Sequence, residues 1–227
     1  MRRFMLLIGM GTAVIAAGAC GGPTLPLALV AARNAVATVR QLLSDGHAAD
    51  EPDGGLTALM WAARAGALDA MAALIDGGAS LDARDARNGW TPLLHAVHKQ
   101  QAGAVGLLLA RGADPNARTE SLTPLLMAAA DPDPAIVTLL LRYGADLQAR
   151  GYGGATPLSQ AVSGGALSDL DRPLLGGCRP DTVRALLAHD PALELPKTIA
   201  GRHALWWARL HGCQEVLDLV AAERVER

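Results

Sequence analysis

Aromatic residues are scarce in this chain: four Trp, two Tyr and one Phe make up 3% of its 227 residues. Runs of β-branched residues are missing as well, and alanine and leucine dominate, which favours helix over sheet. Charge is sparse, 19% of residues, with 20 basic side chains against 22 acidic ones. No basic cluster stands out, so the electrostatic footprint of a nucleic-acid binder is lacking. Catalytic signatures are lacking too. There is no Gly-x-Ser-x-Gly, no Cys-x-x-Cys and no His-Glu-x-x-His.

What the chain does have is a repeated unit, clearest at residues 89–117. Gly89 and the pair Thr91-Pro92 make a turn that leads into a helix with Pro at its first position. Leu93, Ala96 and Val97 fall on one helical face; after the polar break 99–101, Val105, Leu108 and Leu109 give a second apolar stripe. Gly112 then supplies a left-handed stop. Such a helix-turn-helix is too small to bury its own apolar face and must stack on copies of itself.

The copies are present. Thr57-Ala58-Leu59, Thr91-Pro92-Leu93, Thr123-Pro124-Leu125 and Thr156-Pro157-Leu158 recur at intervals of 34, 32 and 33 residues. Each precedes a small pair (Ala62-Ala63, Ala96-Val97, Ala128-Ala129, Ala161-Val162) and an aliphatic pair (Leu74-Ile75, Leu108-Leu109, Leu140-Leu141, Leu186-Leu187). Three units close on Gly78-Ala79-Ser80, Gly112-Ala113-Asp114 and Gly144-Ala145-Asp146. A period near 33 with these motifs at fixed offsets resembles the ankyrin repeat, from Pro26 to about Ala222.

That resemblance implies an all-α ankyrin-repeat solenoid of about six units at 26–52, 53–85, 86–117, 118–150, 151–195 and 196–222, the first and last serving as polar caps. Residues 223–227 read as a frayed end, and 165–177 as an insertion in the fifth unit, on a loop. One departure stands out. The family's His after Thr-Pro-Leu is replaced by Met60, Leu94, Leu126, Ser159 and Trp206, so turns between units are expected to be held less firmly.

The resemblance further implies a non-catalytic module, without cofactor or metal, most simply a monomer, that grips a partner protein in its concave groove. Family partners touch the turn tips and the ends of the first helices. Carried onto this chain, the tips are Asp53, Arg87, Asn88, Trp90, Thr119, Glu120 and Tyr152; the helix ends are Arg64, His98, Lys99, Asp131, Leu210 and His211. Trp90 is expected to face outward beside Arg87 as an interface anchor; the alternative is that it lies flat on the neighbouring turn. The partner is either a general envelope client or one exported enzyme or toxin that the module inhibits. A third reading makes the chain a structural tether in a lipid-anchored assembly.

The location comes from the N-terminus. Arg2-Arg3, the apolar run 4–17 and Ala17-Gly18-Ala19 have the build of a secretory signal peptide over 1–19, followed by a short tether, 20–25. Residues 16–20, Ala-Ala-Gly-Ala-Cys, resemble a permissive bacterial lipobox with Ala17 in place of the usual Leu, making Cys20 the expected lipidation site. Plain cleavage after Ala19 and a retained anchor are the alternatives. The expectation is export to a bacterial periplasm or envelope membrane.

Two further groups need weighing. In an exported chain, Cys178 and Cys213 are a candidate disulfide, although equivalent positions in adjacent units normally lie too far apart, and only a shift by the insertion would bring them together. His95 and His98 are three apart on a helix, a metal-compatible spacing, but lack a third ligand. The expectation is that His95 packs against the next unit, that His98 is solvated, and that Asp131 and Asp133 sit in an exposed turn.

Overall fold

The computed structural model describes residues 26–164 and 177–222. The signal segment 1–19, the tether with Cys20, all of the insertion except Gly177, and 223–227 lie outside the described residues.

Among the described residues there are twelve α-helices in six pairs: α1 (Leu27–Ala32) with α2 (Val36–Ser44), α3 (Ala58–Ala65) with α4 (Leu68–Asp76), α5 (Pro92–His98) with α6 (Ala102–Ala110), α7 (Pro124–Ala128) with α8 (Ala135–Arg142), α9 (Pro157–Ser163) with α10 (Pro180–His189), and α11 (Ile199–Leu210) with α12 (Gln214–Ala222). The Thr of each Thr-Pro-Leu motif starts its helix from an extended backbone. Its hydroxyl accepts the N–H three residues on, at Met60, Leu94, Leu126 and Ser159, over 3.3–3.4 Å. Just past the ends of α4, α6 and α8 comes a left-handed glycine, φ +90° at Gly78, +95° at Gly112 and +84° at Gly144.

Odd-numbered helices pack on odd and even on even, so the pile has two layers. Between them runs one core. Leu59, Leu74, Leu93, Leu108, Leu125, Leu140, Leu158 and Leu186 are fully buried, all at the repeat's apolar positions. Small residues such as Ala62, Ala63, Ala96 and Ala161, also fully buried, let neighbouring first helices approach closely.

The turns between units are tied firmly, contrary to the expectation drawn from the missing His. The side chains of Asp50, Asp82 and Asn116 each accept the N–H of the next unit, from Ser80 (3.0 Å), Asp114 (3.3 Å) and Asp146 (2.7 Å). A second ladder uses arginine: Arg84 donates to the Arg118 carbonyl at 2.9 Å, and Arg118 to that of Arg150 at 3.0 Å. Local capping is also replaced. Ser159 Oγ accepts from Thr156 N–H at 2.8 Å, and the Met60 sulfur takes the equivalent place at 3.4 Å from Thr57 N.

At the C-terminal end Cys178 and Cys213 are disulfide-bonded, their Cα atoms 5.3 Å apart. The two are not equivalent positions: Cys178 lies two residues ahead of α10 and Cys213 one ahead of α12. That offset closes the gap that the repeat spacing would otherwise leave. The end unit is less polar than a cap should be. Ile199, Trp206 and Leu210 of α11 are 74%, 53% and 61% exposed, because nothing among the described residues stacks on that side.

Candidate partner-binding surface

The third unit's tip is built around Asp85. Its Oδ1 accepts the N–H groups of Arg87 (2.9 Å) and Asn88 (2.6 Å), while its backbone N–H is bonded to the Trp90 carbonyl at 2.9 Å. Arg84 pins the other strand of the turn through the Gly89 carbonyl at 3.0 Å. Arg87 and Asn88, both expected partner contacts, are thereby left exposed on a fixed backbone.

Asp85 reaches inward as well. Its Oδ2 lies 2.8 Å from His95 Nε2, and His95 Nδ1 lies 3.2 Å from Arg64 Nη1. An arginine can only donate. His95 Nδ1 is therefore the acceptor, and the ring hydrogen sits on Nε2, pointing at Asp85. Burial lowers the His95 pKa from 6.5 to about 4, reinforced by the Arg64 charge and opposed by Asp85. For Asp85, burial pushes upward, but the N–H groups of Asn88 and Arg87 and the His95 ring outweigh it, and the carboxyl is held below its ordinary value. The chain Arg64–His95–Asp85 is thus a neutral imidazole between a cation and an anion. Both His95 nitrogens are occupied, which removes it as a metal ligand. It also ties back to the preceding unit, where the sequence pointed to the next one.

Three other expectations are corrected. His98 is buried at 7% exposure, not solvated. Trp90 does not stand free. It is half-buried on the core, its ring 5.4 Å from that of His95 and 5.1 Å from that of His98, so the two histidines form its seat. Asp131 is buried too, accepting from Gln100 Nε2, while its backbone carbonyl takes the Thr182 hydroxyl at 2.8 Å. Beside it, burial pulls the Arg179 guanidinium below its ordinary range, with the Asp131 charge countering. These groups join the inter-helix breaks of three successive units. Asp133 is exposed as expected.

Of the remaining expected contacts, Lys99, Glu120 and Asp53 are exposed, Tyr152 is 85% exposed, and Arg64 and Thr119 are partly covered. Arg64 lies over the Trp61 ring, 5.8 Å from its centroid. Leu210 and His211 are exposed at the far end, where the His211 and Trp207 rings lie 4.7 Å apart.

Fixed tips, exposed polar side chains and one continuous core define the class: a helical-repeat solenoid that presents side chains from a rigid pile. The chain belongs to the ankyrin-repeat family. A three-copy model of ankyrin repeats matches residues 27–119 and a single-repeat model matches 121–152. It is similar to the B-cell lymphoma 3 protein homolog of Mus musculus, 43% identical over 67 residues, covering 30% of this chain and 15% of that protein. It is also similar to the palmitoyltransferase Hip14 of Drosophila melanogaster, 39% identical over 85 residues, 37% of this chain and 13% of that one. The similarity spans less than a sixth of either relative. Ankyrin stacks are generally non-catalytic protein-interaction modules, and the repeats suggest an interaction module here.

Proposed function

We propose that this chain is a non-catalytic binding module of a bacterial cell envelope, gripping one partner protein between its turn tips and the ends of its first helices. The observation that carries the reading is the third-unit tip, where Arg87 and Asn88 are exposed on a backbone already fixed by Asp85. A surface fixed before binding loses little ordering entropy when a partner arrives. Lys99, Glu120 and Tyr152 extend the exposed surface across neighbouring units.

Export is supported by the N-terminal pattern of residues 1–20 together with the Cys178–Cys213 bond, since structural disulfides persist in oxidising compartments. In this reading Cys20 carries the lipid. The test is a triple change, Arg87, Lys99 and Tyr152 to Ala, in the full-length protein, followed by crosslinking in cells and identification of attached proteins. A specific crosslinked partner that disappears with the triple change, while circular dichroism is unaltered, is the expected result. A partner retained by the triple change and lost on Cys20→Ser would instead favour the tether.

A further inference from the structure

We propose that Arg64 is the anchor for a carboxylate on an extended, acidic segment of the partner; this rests on the binding reading above and adds the chemistry the site selects. Arg64 sits at the end of α3 and is half-buried, yet among the described residues it forms no ion pair with any carboxylate. One Nη1 hydrogen goes to His95 Nδ1 and the guanidinium face rests on Trp61. The Nε–Nη2 edge, the one whose two parallel N–H groups match a carboxylate, has no protein acceptor there. A guanidinium is ordinarily left in this state only at a surface, fully solvated and mobile. Here it is held in place on two sides, by His95 and by Trp61.

The holding arrangement is specific. His95 accepts from Arg64 only because its hydrogen is directed to Asp85, so the carboxylate of the tip fixes the tautomer that orients the arginine. Two of the three groups are buried, so the geometry persists in the free protein, and the rotamer cost of ordering a long side chain is largely met before binding. The charge balance selects the class of anion. Arg64 and Asp85 offset each other across a neutral ring, so an incoming monoanion leaves a net charge of one, whereas a phosphomonoester, with about −1.5 to −2 at neutral pH, would leave more negative charge uncompensated. A carboxylate from an Asp, a Glu or a chain terminus therefore fits better than a phosphate. Lys99, exposed at the end of the next first helix, α5, and Arg87, exposed on the turn tip, add positive potential for an acidic sequence.

The experiment uses the full chain against two libraries of random twelve-residue peptides, one with a free C-terminal carboxylate and one with its C-terminus amidated. Binders are then measured in solution with each carboxylate replaced in turn by its amide. The expected result is that one replacement weakens binding to the native protein at least tenfold, and has less than a twofold effect on the Arg64→Gln protein. Arg64→Lys is expected to recover only part of the difference, since it keeps the charge and loses the fork. Dependence on a side chain or on the terminus distinguishes the two carboxylate sources. Binders whose carboxylates can all be replaced without loss, or whose dependence survives Arg64→Gln, overturn the assignment while leaving the binding surface intact. A preference for phosphorylated peptides that Arg64→Gln removes overturns the choice of anion. Binders indifferent to the Arg87, Lys99 and Tyr152 changes, or no binders from either library, remove the underlying surface as well.

Discussion

Arg118 reaches from one inter-unit turn to the backbone carbonyl of Arg150 in the following turn, 3.0 Å from Nη2, and Arg84 makes the same reach to Arg118 itself. The ladder runs beside a second one in which Asn116 both accepts from Asp146 N–H and donates to the Gly144 carbonyl. In a linear pile, stability is a sum of unit terms and nearest-neighbour terms, so weakening one junction should break cooperativity there. Asn116→Ala with Arg118→Ala removes three bonds at exposed positions, a loss of about 1.5–4.5 kcal/mol at roughly 0.5–1.5 kcal/mol net for each. Urea unfolding monitored by circular dichroism should become broader, with a lower slope than the native protein. A transition displaced but equally steep would show that the junction is held by the core alone.

The repeat itself was legible in the sequence because stacking imposes the same demands every 33 residues or so: a capping Thr, small residues where helices approach, a left-handed glycine. The arginine ladder was legible as well, in the threefold Gly-Ala-Ser/Asp-x-x-Ala-Arg at 78–84, 112–118 and 144–150. Asp85, by contrast, has no periodic counterpart: Glu51, Ala117 and Arg150 stand six residues before the other motif threonines. Its partners His95 and Arg64 lie in two different units, and no local pattern signals that pairing. The same holds for Asp131, which reads as a turn carboxylate until Gln100 and Thr182 close over it. Trp90 looked exposed for want of any sign that two histidines on the next helix would seat it.

The His95–Asp85 pair makes stability sensitive to acid. His95 has a folded pKa of about 4 against an ordinary 6.5, so between those values the unfolded chain binds a proton that the folded one does not. Its contribution is therefore complete above pH 6.5 and is lost as pH falls towards 4, a total on the order of 3 kcal/mol. Asp85, also depressed, acts in the same direction at lower pH. Thermal unfolding of the native protein should shift downward steadily between pH 7 and 4. His95→Gln should start lower at pH 7, having lost the bond to Asp85, and show a shallower decline. Parallel curves for the two proteins would assign the acid sensitivity elsewhere.

The disulfide joins the fifth unit to the last over a sequence separation of 35 residues. Closing a loop of that length restricts the unfolded chain, a stabilisation of roughly 2–4 kcal/mol. Cys213 is buried while Cys178 is exposed, so replacing both by Ser also leaves a hydroxyl in an apolar site on one side. Cys178→Ser with Cys213→Ala avoids that second effect. This variant should unfold at a lower temperature, and its α11–α12 amides should exchange hydrogen faster than those of α3–α6. Uniform acceleration along the whole pile would mean that the bond stabilises the stack globally and not its end.

One substitution made at two glycines should act in opposite directions. Gly106 lies in the middle of α6, with nothing within 4 Å of where a Cβ would stand, and its backbone is helical. Alanine there limits the unfolded chain without creating a clash, so Gly106→Ala should stabilise by about 0.5–1 kcal/mol. Gly201 in the first turn of α11 has the Pro196 carbonyl oxygen 1.9 Å from that same point, and that oxygen is backbone, unable to swing aside. Gly201→Ala must therefore displace the loop that leads into the last unit, at a cost of about 1–3 kcal/mol. Paired denaturation curves decide it: midpoints moving to either side of the native protein agree with this packing, whereas two shifts of the same sign would mean that the entry to α11 is arranged differently.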